Sequence, residues 1–371
     1  MGADYLAKVI EKQKIAAHDV IIWDIVPERI QAMVLRYPTI VAASSLEDFA
    51  RNAETFIVAV NTPAHHEVIQ ALAEHGAKHV LCESGTTKIL CEKPLAQNVI
   101  QLRKIRALER QFPQLTIHTA LVIQFSAAFD HLHQLIRDED LVLIELIGNW
   151  GKNRGMATET RPTAGDRVDE FLWMLEAFMA LIRHQGIQCA TIHSAMCGFL
   201  NYANEASQHA AYARDDSFPL LPDHSTSATM SFTTDVEEDI HVTLASSFLL
   251  PRQKRNITGI LKKRDTNEPV ILFEVEFDQK DGDHLLVTRC RTNEQRTFIP
   301  PRDKLNVMTD AFIEYAQNGS TCEALAPVEQ AAICVEILDA IGESDHLRRA
   351  GAARFHKIYF RQETAADAIR A

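Results

Sequence analysis

The first 120 residues repeat one pattern: a short apolar run with no polar alternation, then a stretch with helical periodicity. Val20-Ile21-Ile22-Trp23 ends at Asp24, and Pro27-Glu28-Arg29 opens a helix with proline in the first turn, where its missing N–H costs nothing. Phe56 to Val60 is stopped by Asn61-Thr62-Pro63, and the following segment carries apolar residues at helical spacing (Val68, Ile69, Leu72), with Gly76 expected as its cap. Lys88 to Cys91 and Leu115 to Ile123 are two further runs. A strand with one wet face alternates in polarity. These do not, so the pattern predicts a doubly wound parallel sheet covered by helices on both faces.

From about residue 139 the pattern changes. Leu141 to Ile147 reads as a strand and Val168 to Ile182 as an apolar helix; the next five strands, between 226 and 288, have few helices among them. Several alternate, as in Glu274-Val275-Glu276-Phe277, which predicts a large, mainly antiparallel sheet in an α+β domain. Two helical segments, Lys304 to Gln317 and Pro327 to Ile341, close the chain. A chain of 371 residues accommodates two domains, expected at 1–122 and 123–371.

Composition narrows the partners. The net charge of −12, with no basic cluster, argues against nucleic acid. No apolar run approaches the ~20 residues that span a bilayer, and MGADYLAKVIEK has no basic-then-apolar signal pattern, so a cytoplasmic protein without membrane contact is expected. The seven cysteines make no CxxC pair, which predicts reduced thiols and no metal site. The alternating strands of 226–290 offer a broad sheet face for a symmetric partner, giving a homodimer or homotetramer as the expectation.

Several segments, in order, resemble the Gfo/Idh/MocA family of nicotinamide-dependent oxidoreductases. MGADYLAKVI looks like the end of that family's glycine loop running into its first helix, with Gly2 in the loop. Asp24 stands at the tip of the second strand, and Asn61-Thr62-Pro63 with His66 resembles the turn that backs the dinucleotide. Cys91-Glu92-Lys93-Pro94-Leu95-Ala96 is the most specific match, and Trp150 to Glu176, including Arg161, resembles the segment lining the substrate pocket. The resemblance implies a Rossmann-like domain, an NAD cofactor, a small-molecule substrate, and a catalytic or substrate-orienting role for Lys93.

The residues make chemical sense beside that resemblance. Asp24 lies 22 residues after Gly2, where an acid accepts the adenosine ribose hydroxyls. A carboxylate there repels a 2′-phosphate, so NAD is favoured over NADP; a plain turn acid is the blander alternative. Lys93 follows a buried strand, so its ammonium leaves the carboxyl edge of the sheet, where it can hydrogen-bond or protonate the oxygen of a carbonyl–carbinol couple. Glu92 stands ready either to bind the nicotinamide ribose or to orient the lysine. Arg161 could clamp an acidic substrate group, a surface arginine being the commoner case.

Three departures qualify the resemblance. After Gly2 the next glycine is Gly76, so GxGxxG is absent, and with it the first strand, which is central in the 3-2-1-4-5-6 order. Either the chain as given starts late, another segment fills the slot, or cofactor binding is lost and no cofactor is used. Second, Val80-Leu81-Cys82-Glu83 and Ile89-Leu90-Cys91-Glu92 nearly repeat, and only one copy can deliver Lys93; the second copy is the better candidate. Third, the family places an Asp and, four residues on, a proton-transferring His on a substrate-domain helix. Asp169 fits the acid, but Trp173 stands at the histidine position, and an indole N–H only donates. Trp173 then walls the substrate pocket or sits in the core. Two functions stay open: a hydride-transferring oxidoreductase acting on a sugar, cyclitol or similar secondary alcohol, and a non-catalytic relative serving as sensor or assembly partner.

Overall fold

A computed structural model describes residues 2–12, 14–78, 86–153, 166–183, 185, 187–198, 225–235, 239–264, 266, 269–279, 282–289, 295–299, 301–351 and 355–360. The chain forms two compact units. One combines residues 1–125 with 303–335, and the other combines 126–302 with 336–371. The boundary expected at 122/123 therefore misses a return of the chain: residues 303–335 pack with the N-terminal unit because their apolar side chains complete its core.

The first unit runs α1 (Gly2–Glu11), β1 (Ile21–Ile22), α2 (Pro27–Arg36), β2 (Val41–Ala42), α3 (Leu46–Arg51), β3 (Thr55–Val58), α4 (His65–Lys78), β4 (Thr87–Glu92), α5 (Val99–Gln111) and β5 (Leu115–Ala120). β3, β4 and β5 pair in parallel, as the unalternated runs require. Successive side chains of β4 reach opposite faces. Ile89 and Cys91 join a core with Ile69, Leu72, Leu102, Ile105 and Val335. Leu90 joins one with Tyr5, Met308, Phe312 and Leu325. The sheet is doubly wound.

β1 and β2 pair with each other in parallel, as a two-stranded sheet separate from the four-stranded one. Among the described residues no strand pairs with the outer edge of β1 or of β3. The consequence is visible in the packing. α2 buries none of its residues, both residues of β2 are exposed, and Ile25 and Leu35 are more than four-fifths exposed. Among the described residues no strand ties β1 and β2 to the four-stranded sheet.

The second unit begins with α6 (Ala127–Asp138) and β6 (Leu141–Asn153), then a π turn (Arg167–Phe171) leading into α7 (Leu172–Leu181). The strands β7 (Ile187–Gly198), β8 (Ser225–Thr234), β9 (Asp239–Ser247), β10 (Leu249–Lys263), β11 (Pro269–Gln279), β12 (Gly282–Arg289) and β13 (Gln295–Phe298) follow. The chain then gives the first unit α8 (Lys304–Asn318) and β14 (Ala326–Pro327), which is antiparallel to β5. α9 (Val328–Arg349) starts in the first unit and ends in the second, and β15 (His356–Tyr359) joins the second unit's sheet. That sheet has the order β13-β12-β11-β10-β6-β9-β8-β7-β15, antiparallel throughout except between β6 and β9. α6 and α7 cover one face, tied by His133 Nε2 at 2.7 Å from the Ala180 carbonyl oxygen. Phe129, Phe171, Phe178, Phe232 and Phe277 are fully buried in this unit.

Two local expectations need correction. α4 runs through Gly76 to Lys78, so that glycine is inside the helix and not its cap. The segment around Asp169 is a π turn, not plain α-helix.

Candidate nucleotide site

The site is the carboxyl edge of the parallel strands in the first unit, where ligands bind in open α/β sheets. β4 comes from the second copy of the near-repeat, and the first copy, 80–83, lies outside the described residues. β4 ends at Glu92, so Lys93 leaves the sheet at its carboxyl edge, half-buried, joined to Pro94 by a cis peptide. Cys91, Pro94, Leu95 and Ala96 are buried around it.

Glu92 points inward. Its Oε1 accepts from the Tyr5 hydroxyl at 2.7 Å, and its Oε2 accepts from the Lys93 backbone N–H at 3.1 Å. Burial pushes the Glu92 carboxyl above the ordinary range, against the pull of the Tyr5 and Lys93 contacts. Burial, then the Glu92 charge, also pushes the Tyr5 phenol up. Both oxygens are engaged inside the unit, Oε2 on the backbone of the Lys93 segment.

At the end of β3, Asn61 is exposed, and Thr62-Pro63-Ala64 form a single 3₁₀ turn before α4. The expected His66 is half-buried, its imidazole pulled to lower pKa first by burial and then by Lys104. The neighbouring His65 is the better connected. It is fully buried, with Nδ1 3.0 Å from the Pro94 carbonyl oxygen and Nε2 3.1 Å from that of Val60. The ring thus ties the end of β3 to the Lys93-Pro94 segment. Sequence reasoning passed over His65 because adjacent histidines look alike until the helix places one of them inward.

Asp24 follows β1. Its Oδ1 accepts from the Val26 N–H at 2.8 Å, fixing the turn into α2, while Oδ2 lies 3.5 Å from Arg29 Nη1 and one third of the side chain stays exposed. It serves as a turn acid and keeps an accessible oxygen. Gly2 is exposed at the start of α1, where a Cβ would meet only Ala59 Cβ at 3.9 Å, an ordinary contact. Nothing in that space requires glycine.

Gln124, in a 3₁₀ turn after β5, is fully buried, and neither its Oε1 nor its Nε2 has a hydrogen-bond partner. An unmet buried donor or acceptor costs about 1–3 kcal/mol, so a carboxamide with both unmet is an unusual thing to leave at a sheet's carboxyl edge. In the second unit, the Trp173 indole stacks on that of Trp150, with centroids 6.0 Å apart and planes 13° off parallel. Arg161 and the Asp169 side chain lie outside the described residues. Among the described residues no cluster of potential metal ligands occurs, and no helix is long and apolar enough to cross a membrane.

Residues 1–118 match the model of an oxidoreductase family with an NAD-binding Rossmann fold, Gfo/Idh/MocA. Over those residues the chain is similar to that family's nucleotide-binding domain. No curated protein matches the chain in sequence. Solved structures of this fold match nearly its full length. A levoglucosan dehydrogenase in complex with NADH is 12% identical, covering 97% of this chain and 95% of that one, with a TM-score of 0.70. An aldose–aldose oxidoreductase from Caulobacter crescentus is 11% identical, covering 90% and 89%, with a TM-score of 0.65. The transcriptional regulator Gal80p from Kluyveromyces lactis is 12% identical, covering 92% and 83%, with a TM-score of 0.63. At these identities the likeness is one of fold. The shared fold extends over both units.

Proposed function

We propose that this protein transfers a hydride between a nicotinamide dinucleotide, NAD in preference to NADP, and a sugar, cyclitol or similar secondary alcohol. The observation that carries the reading is Lys93, a half-buried amine at the carboxyl edge of a parallel strand, in a segment braced by Glu92 and His65. The residues present suit a dinucleotide at two places. Asp24 keeps an oxygen accessible for ribose hydroxyls, and Gln124 holds an unmet donor and acceptor that complement a carboxamide. When bound, the nicotinamide supplies or accepts the hydride.

The chain's own residues do the rest. Lys93 donates a hydrogen bond to the reacting oxygen and holds or releases its proton; Glu92 and His65 fix the Lys93 backbone; Asp24 repels a 2′-phosphate. Asp169 and Arg161 orient the substrate in this reading, and Trp173 walls its pocket. The protein acts as a cytoplasmic homodimer or homotetramer. Titration with NADH should give saturable enhancement of nicotinamide fluorescence, and oxidation of a panel of aldoses and cyclitols should be lost in Lys93→Ala while NADH still binds. Unchanged turnover in that variant removes Lys93 from the mechanism.

One observation favours a second reading, a non-catalytic ligand sensor. Trp173 stands where the resembled family has a proton-transferring histidine, and it is stacked against Trp150. Losing a general acid/base typically costs 10²–10⁴ in rate. NADH binding without turnover across the panel would select the sensor.

A further inference from the structure

Tyr5 and Glu92 form a buried pair, of which the catalytic account uses only the Glu92 contact to the Lys93 N–H. Tyr5 is 2% exposed and Glu92 7%, and the phenol and carboxyl meet at 2.7 Å. Tyr5 lies in the first turn of α1, and helical side chains lean toward the helix N-terminus, so Glu92 is held at that end of α1. A helix N-terminus attracts anions; a buried carboxylate beside it opposes them.

The hydroxyl is the one group suited to both charge states of Glu92. It donates to the carboxylate, as here, and can accept from the protonated acid, while the Lys93 N–H stays on the other oxygen. Phenylalanine can do neither. The groups acting on Glu92 are Tyr5 from α1, Lys93 from its own segment and the N-terminal amine ahead of α1, with the buried Cys91 thiol coupled to it, while Asp4 and Cys91 act on Tyr5. Burial already biases the carboxyl toward the neutral acid.

We propose that Tyr5 is a positioning residue through which the nucleotide site takes up a proton: the pair stays in place while Glu92 changes from carboxylate to acid as a dinucleotide's phosphates arrive at α1. The inference rests on the nucleotide reading above and deepens it, since it names what regulates that site. The proton comes from solvent, joins a Glu92 oxygen and returns when the nucleotide leaves. No other bond changes.

The test is the NADH dissociation constant from pH 6 to 9, read by nicotinamide fluorescence, with calorimetry in two buffers of different ionisation heat. Wild type should weaken as pH rises, by up to tenfold per unit above the Glu92 midpoint, with net proton uptake on binding. Glu92→Gln should bind NADH with no pH dependence and no uptake. Tyr5→Phe removes a donor to the carboxylate and should move the midpoint to higher pH by about one unit, tenfold in proton affinity. Asp4→Asn should leave the wild-type slope in place. Saturable binding with a flat pH profile in wild type, or a slope that survives in Glu92→Gln, overturns the proposal alone. No saturable binding of wild type at millimolar NADH overturns the nucleotide reading and this proposal together.

Discussion

Asp24 illustrates how much a single side chain can decide. One oxygen is spent on the Val26 N–H, while the other faces Arg29 across 3.5 Å, and the group remains one-third exposed. On the nucleotide reading proposed above, its charge meets the adenosine ribose. NADH should bind at least about tenfold more tightly than NADPH, a difference of ~1.4 kcal/mol. Asp24→Ser should narrow that ratio by weakening NADH and strengthening NADPH, both measured by fluorescence titration; an unchanged ratio would reduce Asp24 to its turn. His65 shows the opposite case, a residue whose meaning is invisible along the chain. A neutral imidazole has one N–H, yet both ring nitrogens face carbonyl oxygens, and burial holds the ring's pKa down. Nothing in the string Ala64-His65-His66-Glu67 distinguishes the two histidines. The helix phase does.

At the scale of elements, the strands and helices around β5 carry two buried groups with opposed responses to pH. Glu109 on α5 accepts from the Ile117 N–H at 3.3 Å; burial, then the Glu329 charge, pushes it up to about 7. Its folded pKa is raised above the ordinary 4.5, so its contribution to stability is full below pH 4.5 and is lost as pH rises through 7. His118 on β5 packs edge-on against Tyr315, with centroids 4.7 Å apart, and burial pulls it down to about 4. Its folded pKa lies below the ordinary 6.5, so its contribution is full above pH 6.5 and is lost as pH falls through 4. Each effect is bounded at about 3 kcal/mol, and in the wild type they nearly cancel. Glu109→Gln should expose a fall in stability on acidification from pH 6.5 to 4.5, and His118→Phe a rise over the same range. Urea midpoints at several pH values would check both, and parallel profiles in the two variants would refute the pairing.

For the whole molecule, what the nine-stranded sheet leaves exposed bears on assembly. In the second unit, Ile147, Thr258 and Glu274 are cross-strand neighbours, with Ile260 and Leu272 paired one step along on the same face. Ile147 and Leu272 are 44% and 42% exposed, apolar positions amid polar ones, as suits a surface that pairs with a second copy. Light scattering at micromolar concentration should give a dimer or tetramer, and Ile147→Lys with Leu272→Lys should give a monomer of unchanged circular dichroism. A monomeric wild type would refute the symmetric partner.

The unalternated runs at 56–60 and 88–91 pointed to a parallel sheet by themselves, because residues that bury both faces leave no polar period to read. The spacing from β4 to Lys93 likewise put an amine at the sheet's carboxyl edge without any coordinates, since a strand's end is also its direction. Tertiary structure alone decided the rest. Residues 303–335 return to the first unit through contacts nearly 200 residues distant in sequence, as Phe312 with His118 shows. The π turn at Arg167–Phe171 opens a segment whose apolar pattern looked like plain α-helix. Tyr5 meets Glu92 across 87 positions, and such pairings depend on where whole elements pack, which no local periodicity encodes.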